Sequence, residues 1–223
     1  KIDENNLDIV VPEGVKHIHE LAIIGFELNS LSLPSTIESI ASMGIISEYI
    51  DSLVLNFDNA TLDKVSFALY DENIITLTVP STFDIDYESW KEAMLPAFLH
   101  PSVTLYDDYY YQEDTGMIVK YKGEGEVDVT VPAVINGTNI TKIEDNAFRN
   151  LNLSGTLTIS NGITTIGNET FMYNSFDTLI MADSVTVIGM ASFRDNNLKD
   201  ITLSNNLTII PKEAFEYNEL NAI

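Results

Sequence analysis

Three histidines and three short acidic runs contain the residues of this sequence that are best suited to chemistry. His17 and His19 are two residues apart, so on a strand both side chains would share one face and could bind zinc. No third ligand follows at a recognisable spacing, and His100 stands alone before Pro101. We therefore interpret the histidines as surface or packing residues and predict no metal site.

Paired carboxylates in the acidic runs could serve as the acid and base of a glycosidase or as calcium ligands. The pairs are Asp84/Asp86, Asp107/Asp108 and Glu124/Glu126. The ligand spacing of an EF-hand loop is absent, and no Gly-x-Ser-x-Gly elbow marks a nucleophilic serine. We interpret the runs as solvated acidic loops, predict no catalytic residue and no cofactor, and leave calcium binding open.

A repeated pattern determines where such residues can lie in the fold. Near the end of the chain an isoleucine precedes a phenylalanine by five residues, and the pattern recurs after 23, 22 and 22 residues. The pairs are Ile143/Phe148, Ile166/Phe171, Ile188/Phe193 and Ile210/Phe215. A fixed period of this length is typical of a solenoid, in which one short unit stacks on the next.

A second set of slots predicts one short strand in each repeat. These slots are apolar-x-apolar triplets, a pattern that buries alternate residues of a strand. The triplets are Ile9/Val11, Leu31/Leu33, Leu53/Leu55, Leu77/Val79, Val103/Leu105, Val129/Val131, Leu157/Ile159, Leu179/Met181 and Ile201/Leu203. The sequence therefore predicts an α/β-type or mostly-β solenoid with nine short parallel strands and an irregular or short-helical convex side.

The same slots predict the core of the regular repeats. Its expected members are Ile143, Phe148, Leu157, Ile166, Phe171, Leu179, Ile188, Phe193, Ile201, Ile210 and Phe215. The triplets should line one side of a parallel sheet, and the isoleucine and phenylalanine slots should fill the space behind it. We interpret the recurrent asparagines, among them Asn146, Asn174 and Asn196, as turn residues that tolerate a left-handed backbone.

Two stretches interrupt the period. A short helix is predicted near residues 86–99, with Trp90, Met94 and Leu95 on one face and acidic residues at its start. A central insertion with a β-hairpin is predicted after it, turning near Gly123–Gly125. The expected organisation is degenerate repeats over 1–105, insertion and hairpin over 106–139, and regular repeats over 140–223, with one continuous solenoid as an open alternative.

Composition disfavours several classes of partner. The net charge is −23, with 11 Lys and Arg residues against 34 Asp and Glu residues, which disfavours nucleic acid and anionic membrane surfaces. No run of apolar residues is long enough for a membrane span. The absence of cysteine excludes disulfides without deciding the compartment. Because the chain begins at Lys1 and stops before the triplet expected after Leu220, a processed or trimmed piece is an open expectation.

The stretch from Ile140 to Asn218 resembles the BspA-type leucine-rich repeat. The markers of that repeat occur four times, as Ile143/Ala147/Phe148, Ile166/Gly167/Phe171, Ile188/Gly189/Phe193 and Ile210/Ala214/Phe215. The segment from Gly116 to Ile143 is similar to the hairpin and strand that commonly lead into the first regular repeat of this family. The resemblance implies a bacterial protein of the cell surface or the extracellular space. It also implies adhesion, since some members attach to host matrix proteins or to other cells.

The repeat and the resemblance together lead us to expect a non-catalytic module that binds a protein or a glycan, with a host extracellular matrix protein as one candidate partner. A structural acidic spacer that presents another domain is the alternative. A hydrolase with a carboxylate site in the insertions is the third possibility. The sequence leaves the ligand, the means of anchoring and the oligomeric state open.

The first candidate surface is the outward ladder of the regular strands, formed by Thr158, Ile180 and Thr202. Its expected upstream members are Ser32, Val54, Thr78 and Thr104. These side chains are small and uncharged, and the ladder lacks the Trp, Tyr and Arg residues that usually dominate binding energy. The ladder could take an extended partner or could simply be solvated.

The second candidate surface is a tyrosine cluster in the central insertion. Its members are Tyr106, Tyr109, Tyr110 and Tyr111. The rings could pack over the edge of the sheet, or they could act as aromatic anchors on a recognition loop. Both interpretations remain open at the level of sequence.

Overall fold

The computed structural model describes residues 7–69, 74–80, 82–93 and 95–220, and for residues 26, 48, 49, 69, 74–76 and 98 it describes the backbone alone. The chain forms two compact units, unit 1 (Lys1–His100) and unit 2 (Pro101–Ile223). The domain boundaries expected at 105/106 and 139/140 remain predictions.

Unit 1 is a stack of short parallel strands. Its elements are β1 (Leu7–Val10), β2 (His17–Ile18), β3 (Ile23–Leu33), β4 (Ser39–Ile40), β5 (Ile45–Leu55), β6 (Thr61–Leu62), β7 (Phe67–Leu69), β8 (Ile74–Thr78), α1 (Tyr87–Glu92) and a 3-10 helix (Ala97–Leu99). One parallel sheet has the order β1-β3-β5-β7, with β8 also paired to β5, and a second parallel sheet has the order β2-β4-β6. Each repeat therefore supplies strands to two sheets.

Residues one period apart face one another across these sheets, as the sequence predicts. Leu31 pairs with Leu53 in the first sheet, and Ile18 pairs with Ile40 in the second. All four side chains are buried. Because alternate residues of a strand point to opposite sides, these positions form the core between the two sheets.

The predicted helix is present in unit 1. α1 buries Trp90 completely, and the indole N–H donates a hydrogen bond to the Pro96 carbonyl (3.0 Å). Leu95 is also buried but lies beyond the end of the helix, and Met94 lies outside the described residues. The helix is therefore attached to the repeat core through one large aromatic side chain.

Unit 2 combines an antiparallel hairpin with parallel repeat strands. Its elements are β9 (Val103–Tyr106), β10 (Tyr109–Gln112), β11 (Met117–Tyr121), β12 (Val127–Val131), β13 (Val134–Ile135), β14 (Thr138–Asn139), β15 (Lys142–Ile143), β16 (Ser154–Ile159), β17 (Thr165–Ile166), β18 (Ser175–Met181) and β19 (Asp200–Thr202). One sheet has the order β12-β16-β18-β19, and all of its pairs are parallel. The other has the order β17-β15-β11-β10-β9 and becomes antiparallel from β11 onward.

Eight of the nine predicted triplets begin on strands that pair in parallel, and the prediction for Val103/Leu105 is wrong. β9 pairs antiparallel with β10, so Val103 faces Gln112 and Leu105 faces Tyr110. The chain reverses at Asp107, whose φ of 51° suits a tight turn. This reversal pairs β9 with the next segment of the chain rather than with a strand one period away.

The predicted hairpin turn near Gly123–Gly125 is also wrong. β11 pairs antiparallel with β10 and parallel with β15, whereas β12 pairs parallel with β16. The two strands that flank the glycines thus belong to different sheets of unit 2. A hairpin insertion does exist, but its strands are β9, β10 and β11, and a second small hairpin joins β13 to β14.

A stack of aromatic rings forms the core behind the parallel strands of unit 2. The ring centroids of Phe171 and Phe193 are 5.5 Å apart, and those of Phe193 and Phe215 are 5.2 Å apart, with nearly parallel planes. Phe148 stacks on Tyr121 at 4.8 Å. Tyr121 therefore takes the phenylalanine slot of the preceding turn, which the sequence period does not reveal.

The last repeat is less buried than the core prediction requires. Ile210 is 58% exposed, although the equivalent Ile188 is only 5% exposed. Ile201 and Phe215 are half-buried. Each rung is covered by the next one, and no further rung follows within the described residues, so Ile210 is corrected from a core residue to an exposed one.

Three asparagines have a different role from the one predicted. Asn174 is buried, and its side-chain amide donates to the Phe148 carbonyl (2.7 Å) and the Phe171 carbonyl (3.1 Å). Its side-chain oxygen accepts from the N–H groups of Leu151 and Leu153, both at 3.1 Å. Equivalent bonds are made by Asn196 and Asn218. These side chains satisfy buried backbone groups of consecutive repeats rather than allowing left-handed turns.

A left-handed backbone does occur in the repeats, and one of the slots that adopt it lies two residues before the phenylalanine position. The φ angles lie between 52° and 61° at Leu21, Met43, Val65, Asn146, Glu169, Ala191 and Glu213. The N–H of this slot donates to the next turn, as Met43 does to the Val65 carbonyl (2.7 Å) and Val65 to the Glu92 carbonyl at the end of α1 (2.7 Å). Asn146 thus confirms the predicted turn role.

Replacing Val65 by asparagine is expected to stabilise unit 1. A β-branched residue is strongly disfavoured at positive φ, whereas asparagine tolerates it. We expect the free energy of unfolding to rise by about 1 kcal/mol, measured by urea denaturation. The converse change Asn146→Val should lower the free energy of unfolding of unit 2. Loss of stability in Val65→Asn would contradict this account of the slot.

Candidate binding surface

Three tyrosines form a row across the hairpin of unit 2. Tyr109 faces Tyr106 on β9 and Tyr121 on β11, so the three residues occupy neighbouring strands at the same level. The ring centroids of Tyr109 and Tyr121 are 4.9 Å apart, and Tyr109 also contacts Phe148 at 6.4 Å. The row therefore continues the aromatic stack of the repeats into the hairpin.

The predicted tyrosine cluster divides into packed and exposed members. Tyr111 is fully buried, so it has no surface to offer a partner. Tyr109 and Tyr110 are half-buried. Tyr106 is 43% exposed, and its neighbour Leu105, which was predicted as a triplet residue and not as a binding residue, is 45% exposed. The structure thus places Tyr106 and Leu105 at the accessible end of the cluster.

Burial and nearby carboxylates raise the pKa of two of these tyrosines. The pKa of Tyr109 is raised to about 12, first by burial and then by the negative charges of Glu126, Asp108 and Asp107. The pKa of Tyr121 is also raised, by burial and by the hydrogen bond from its hydroxyl to Glu126. Both rings are therefore held neutral in the folded protein.

This shift predicts a loss of stability at alkaline pH. In the unfolded chain a tyrosine ionises near pH 10, whereas folded Tyr109 ionises near pH 12. The stabilising contribution is therefore fully present below about pH 10 and is lost as pH rises towards 12. Urea unfolding across this range should show a smaller loss for Tyr109→Phe than for the unchanged protein. An equal loss in both proteins would contradict the assignment.

The outward ladder of unit 2 has the register predicted for it. Thr158 faces Ile180, and Ile180 faces Thr202. Thr130, which the sequence analysis omitted, faces Thr158 and completes the row on β12. Thr130 could have been found because it lies between Val129 and Val131, as Thr158 lies between Leu157 and Ile159. Ile180, at 44% exposure, is the large apolar side chain of this ladder.

The upstream members of the ladder lie in two different settings. In unit 1, Ser32 faces Val54, and Val54 faces Thr78, as predicted. Thr104 lies instead on β9 and faces Tyr111 of the hairpin, so its assignment to the ladder is wrong for the same reason as that of Val103/Leu105.

His17 approaches two polar side chains on the surface of unit 1. Its Nδ1 lies 3.0 Å from Ser39 Oγ, and its Nε2 lies 3.9 Å from Glu38 Oε2. The other oxygen of the Glu38 carboxylate accepts a hydrogen bond from the Lys16 ammonium group (2.5 Å). A catalytic histidine–serine pair would need nearby N–H groups that can donate to an oxyanion. The N–H groups of Glu38 and Ser39 both donate to the Lys16 carbonyl instead, so neither can take that role. The arrangement matches a surface hydrogen-bond network.

The remaining histidines have separate settings. His100 packs against Trp90 with ring centroids 5.4 Å apart and is buried, which confirms its packing role. His19 is exposed. Across the described part of the chain, no cluster of three or more histidine, aspartate or glutamate residues is arranged to hold a metal ion.

Two of the acidic runs contain a carboxylate with a structural role. Asp86 caps α1 by accepting from the Ser89 hydroxyl (2.6 Å) and the Ser89 N–H (2.9 Å), and these bonds lower the pKa of its carboxyl. Glu126 accepts from Tyr121. A general acid needs a raised pKa, so Asp86 is unsuited to that role.

Two arginine–tyrosine pairs in unit 2 were missed by the sequence analysis. The Arg149 guanidinium lies 5.3 Å from the centre of the Tyr173 ring, and that of Arg194 lies 5.0 Å from the centre of the Tyr217 ring. Each arginine directly follows a repeat phenylalanine, and each tyrosine comes two residues after the next one. This spacing, shared by the two pairs, could have predicted both contacts from the sequence. These pairs tie one repeat to the next.

Among the described residues, no helix is long and apolar enough to cross a membrane.

Comparison with known proteins identifies the repeat. A family model described as "BspA type Leucine rich repeat region" matches residues 4–112 and 130–223 in six copies. The chain is similar to the crystal structure of the pneumococcal vaccine antigen PcpA, with a TM-score of 0.56 and 11% identity over 98% of this chain and 80% of that one. It is also similar to a leucine rich cell surface protein from Faecalibacterium prausnitzii A2-165, with a TM-score of 0.43 and 17% identity over 95% of this chain and 57% of that one. No curated protein sequence matches the chain.

Proposed function

The chain belongs to the BspA-type leucine-rich repeat family, and from this premise we propose that it is a non-catalytic binding module of a bacterial cell surface or secreted protein. Its partner would be a protein or a glycan, with host extracellular matrix components as the first candidates. The hairpin of unit 2 would make the principal contact, and the parallel repeats would hold that hairpin in a fixed orientation.

The exposure of Leu105 and Tyr106 is the observation that supports this site. Two consecutive residues of β9 are each more than 40% exposed, and they present large apolar side chains to the two faces of the strand in a protein of net charge −23. Tyr106 extends the row of Tyr109 and Tyr121, and that row packs on the repeat core. A tyrosine with a fixed backbone and a free ring loses little conformational entropy on binding, which is why such residues are common at binding sites.

The outward ladder is the weaker candidate on the same criteria. Thr158 and Thr202 are small side chains, and Ile180 is the large apolar group of the row. A contact surface needs side chains that bury a large area at its centre. We therefore assign the ladder a supporting role and expect its threonines to be largely solvated.

A structural spacer is the alternative function. The stacked rings and buried asparagines join consecutive repeats in unit 2, and such a continuous core suits a stiff support. A spacer would bind none of the host matrix proteins and glycans used in the binding test described next. Turnover in a broad hydrolase screen would instead support the third function considered, a carboxylate enzyme.

Binding of immobilised host matrix proteins and glycans would test the proposal. The unchanged protein should bind at least one member of the panel, and Tyr106→Ala should weaken that binding about tenfold, as expected when an aromatic anchor is lost. Tyr217→Ala is the matched control, because Tyr217 is a 64% exposed tyrosine elsewhere in unit 2. The proposal fails if no ligand binds, and the choice of site fails if both variants bind equally.

A further inference from the structure

The outer edge of β9 lacks three features that commonly block pairing with another strand, namely charge, proline and a bulge. β9 is the terminal strand of its sheet, and within the described residues only β10 pairs with it. Its four residues, Val103–Tyr106, contain no charge and no proline, and its register with β10 has no bulge. Natural edge strands usually carry one of these blocking features. β9 therefore resembles a strand that accepts a partner.

The register of the hairpin fixes which backbone groups face outward. The chain turns over two residues, Asp107 and Asp108, so Tyr106 and Tyr109 are the closing pair. In a hairpin of this length the closing pair exchanges hydrogen bonds, and the next pair does not. Leu105 and Val103 consequently direct their N–H and C=O groups away from β10, as an added strand requires.

The side chains along this edge also suit an added strand. A strand added at this edge would place a residue beside Tyr106, continuing the row of Tyr109 and Tyr121. Aromatic and β-branched residues make the most favourable cross-strand pairs with an aromatic residue. The incoming segment should therefore carry such a residue at that level, next to one that contacts Leu105.

Negative charge lies at both ends of the uncharged edge. Asp107 and Asp108 follow β9 directly, while Glu113 and Asp114 follow Gln112, which faces Val103 at the other end. Three of these four acidic residues are exposed, and Asp108 is half-buried. A segment with basic residues on both sides of a short uncharged stretch would complement this pattern. A second copy of the chain would bring the same large negative charge, which opposes association.

We propose that the outer edge of β9 binds an extended polypeptide segment by strand addition, with basic residues of that segment flanking a short apolar or β-branched stretch. This inference rests on the binding function proposed for the hairpin, and it narrows the partner from protein or glycan to a polypeptide. Backbone hydrogen bonds to Leu105 and Val103 hold the segment, and the carboxylates at the two ends select its charge.

Synthetic peptides provide the test. The probe has a Val-Thr-Tyr-Thr core between two pairs of lysines, and its matched control has the same core between two pairs of glutamates. We expect the lysine-flanked peptide to bind and the glutamate-flanked peptide to bind at least tenfold more weakly, by fluorescence anisotropy. Affinity of the lysine-flanked peptide should fall as salt rises, because exposed charges are screened.

Substitutions on β9 separate strand addition from simple attraction. Leu105→Pro removes an outward N–H, and Leu105→Lys places a positive charge on the edge. Each variant should bind the lysine-flanked peptide at least tenfold more weakly than the unchanged protein does. Ile209→Lys is the matched control, because it adds the same charge at a 72% exposed apolar residue elsewhere in unit 2, and it should leave binding of the peptide almost unchanged. Circular dichroism verifies that the variants are folded. If Leu105→Pro does not fold, Leu105→Lys alone serves as the test.

The possible outcomes are distinct. Strand addition is overturned if the lysine-flanked peptide fails to bind or if it binds Leu105→Pro and Leu105→Lys as well as the unchanged protein. If the unchanged protein dimerises and Leu105→Lys is monomeric in sedimentation, the edge takes a second copy and this proposal is wrong. If matrix proteins or glycans bind in a Tyr106-dependent way that Leu105→Pro leaves unaltered, the proposed function stands without strand addition.

Discussion

Replacing Asn174 by alanine is expected to lower the free energy of unfolding of unit 2 by about 3–5 kcal/mol, since each buried backbone group left unpaired costs about 1–3 kcal/mol. The Asn174 side chain is the acceptor for the N–H groups of Leu151 and Leu153 and a donor to the Phe148 carbonyl. The Phe171 carbonyl keeps a second donor from Asn196. Urea unfolding followed by circular dichroism measures the change.

The next repeat offers a matched control for this substitution. Asn197 is exposed, so Asn197→Ala should change the free energy of unfolding by less than about 0.5 kcal/mol, as surface substitutions generally do. If Asn174→Ala were as mild as its control, the buried amides would not be joining the repeats in the way described.

The second large effect is expected for Phe193→Ala, with a loss of about 3–5 kcal/mol, because large-to-small changes in a packed core remove contacts and leave a cavity. Phe193 is 1% exposed and lies between the rings of Phe171 and Phe215. Because each repeat contacts only its neighbours, the cavity should also loosen the last turn. Amide hydrogen exchange of residues 198–220 should therefore rise more than that of residues 142–166.

Phe215→Ala is the control for position in the stack. Phe215 is half-buried and packs on one ring instead of two, so its replacement should cost clearly less than that of Phe193. Equal losses for the two variants would mean that the stack does not transmit stability from repeat to repeat.

The sequence period predicts the fold well because one slot has one environment in every repeat. Ile18, Leu31, Phe171 and Leu179 are all buried as their slots require. The period fails where the chain leaves the repeat. Val103/Leu105 has the right triplet, but the turn at Asp107 pairs β9 with β10 before a parallel rung can form. A triplet predicts a strand and does not predict its partner.

The role of the asparagines shows a different limit. Asn146 has a left-handed backbone conformation, whereas Asn174 is buried and forms hydrogen bonds through its side chain. Residue type alone does not distinguish these two roles. Their position relative to the phenylalanine differs, since Asn146 precedes Phe148 by two residues and Asn174 follows Phe171 by three. This difference in position relative to the phenylalanine distinguishes the turn asparagine from the buried one. The buried asparagines are therefore predictable from the repeat once position is read together with residue type.

The candidate surface was predictable only in part. The tyrosine cluster stands out in the sequence, but its division into a buried Tyr111 and an exposed Tyr106 depends on the pairing of β9 with β10. Leu105 was predicted as part of a strand triplet with alternate residues buried, but it is exposed. Tyr121 lies outside the 22-residue period and fills a phenylalanine slot nonetheless. These features follow from strand pairing, which local sequence does not determine.

The most direct test of the central claim compares the two candidate surfaces in one binding measurement. The affinity of a ligand identified in the panel is measured for Tyr106→Ala on the hairpin and for the double variant Thr158→Ala/Thr202→Ala on the outward ladder. We expect at least a tenfold loss for Tyr106→Ala and less than a twofold change for the double variant. A tenfold loss for the double variant with unchanged binding by Tyr106→Ala would contradict the assignment of binding to the hairpin.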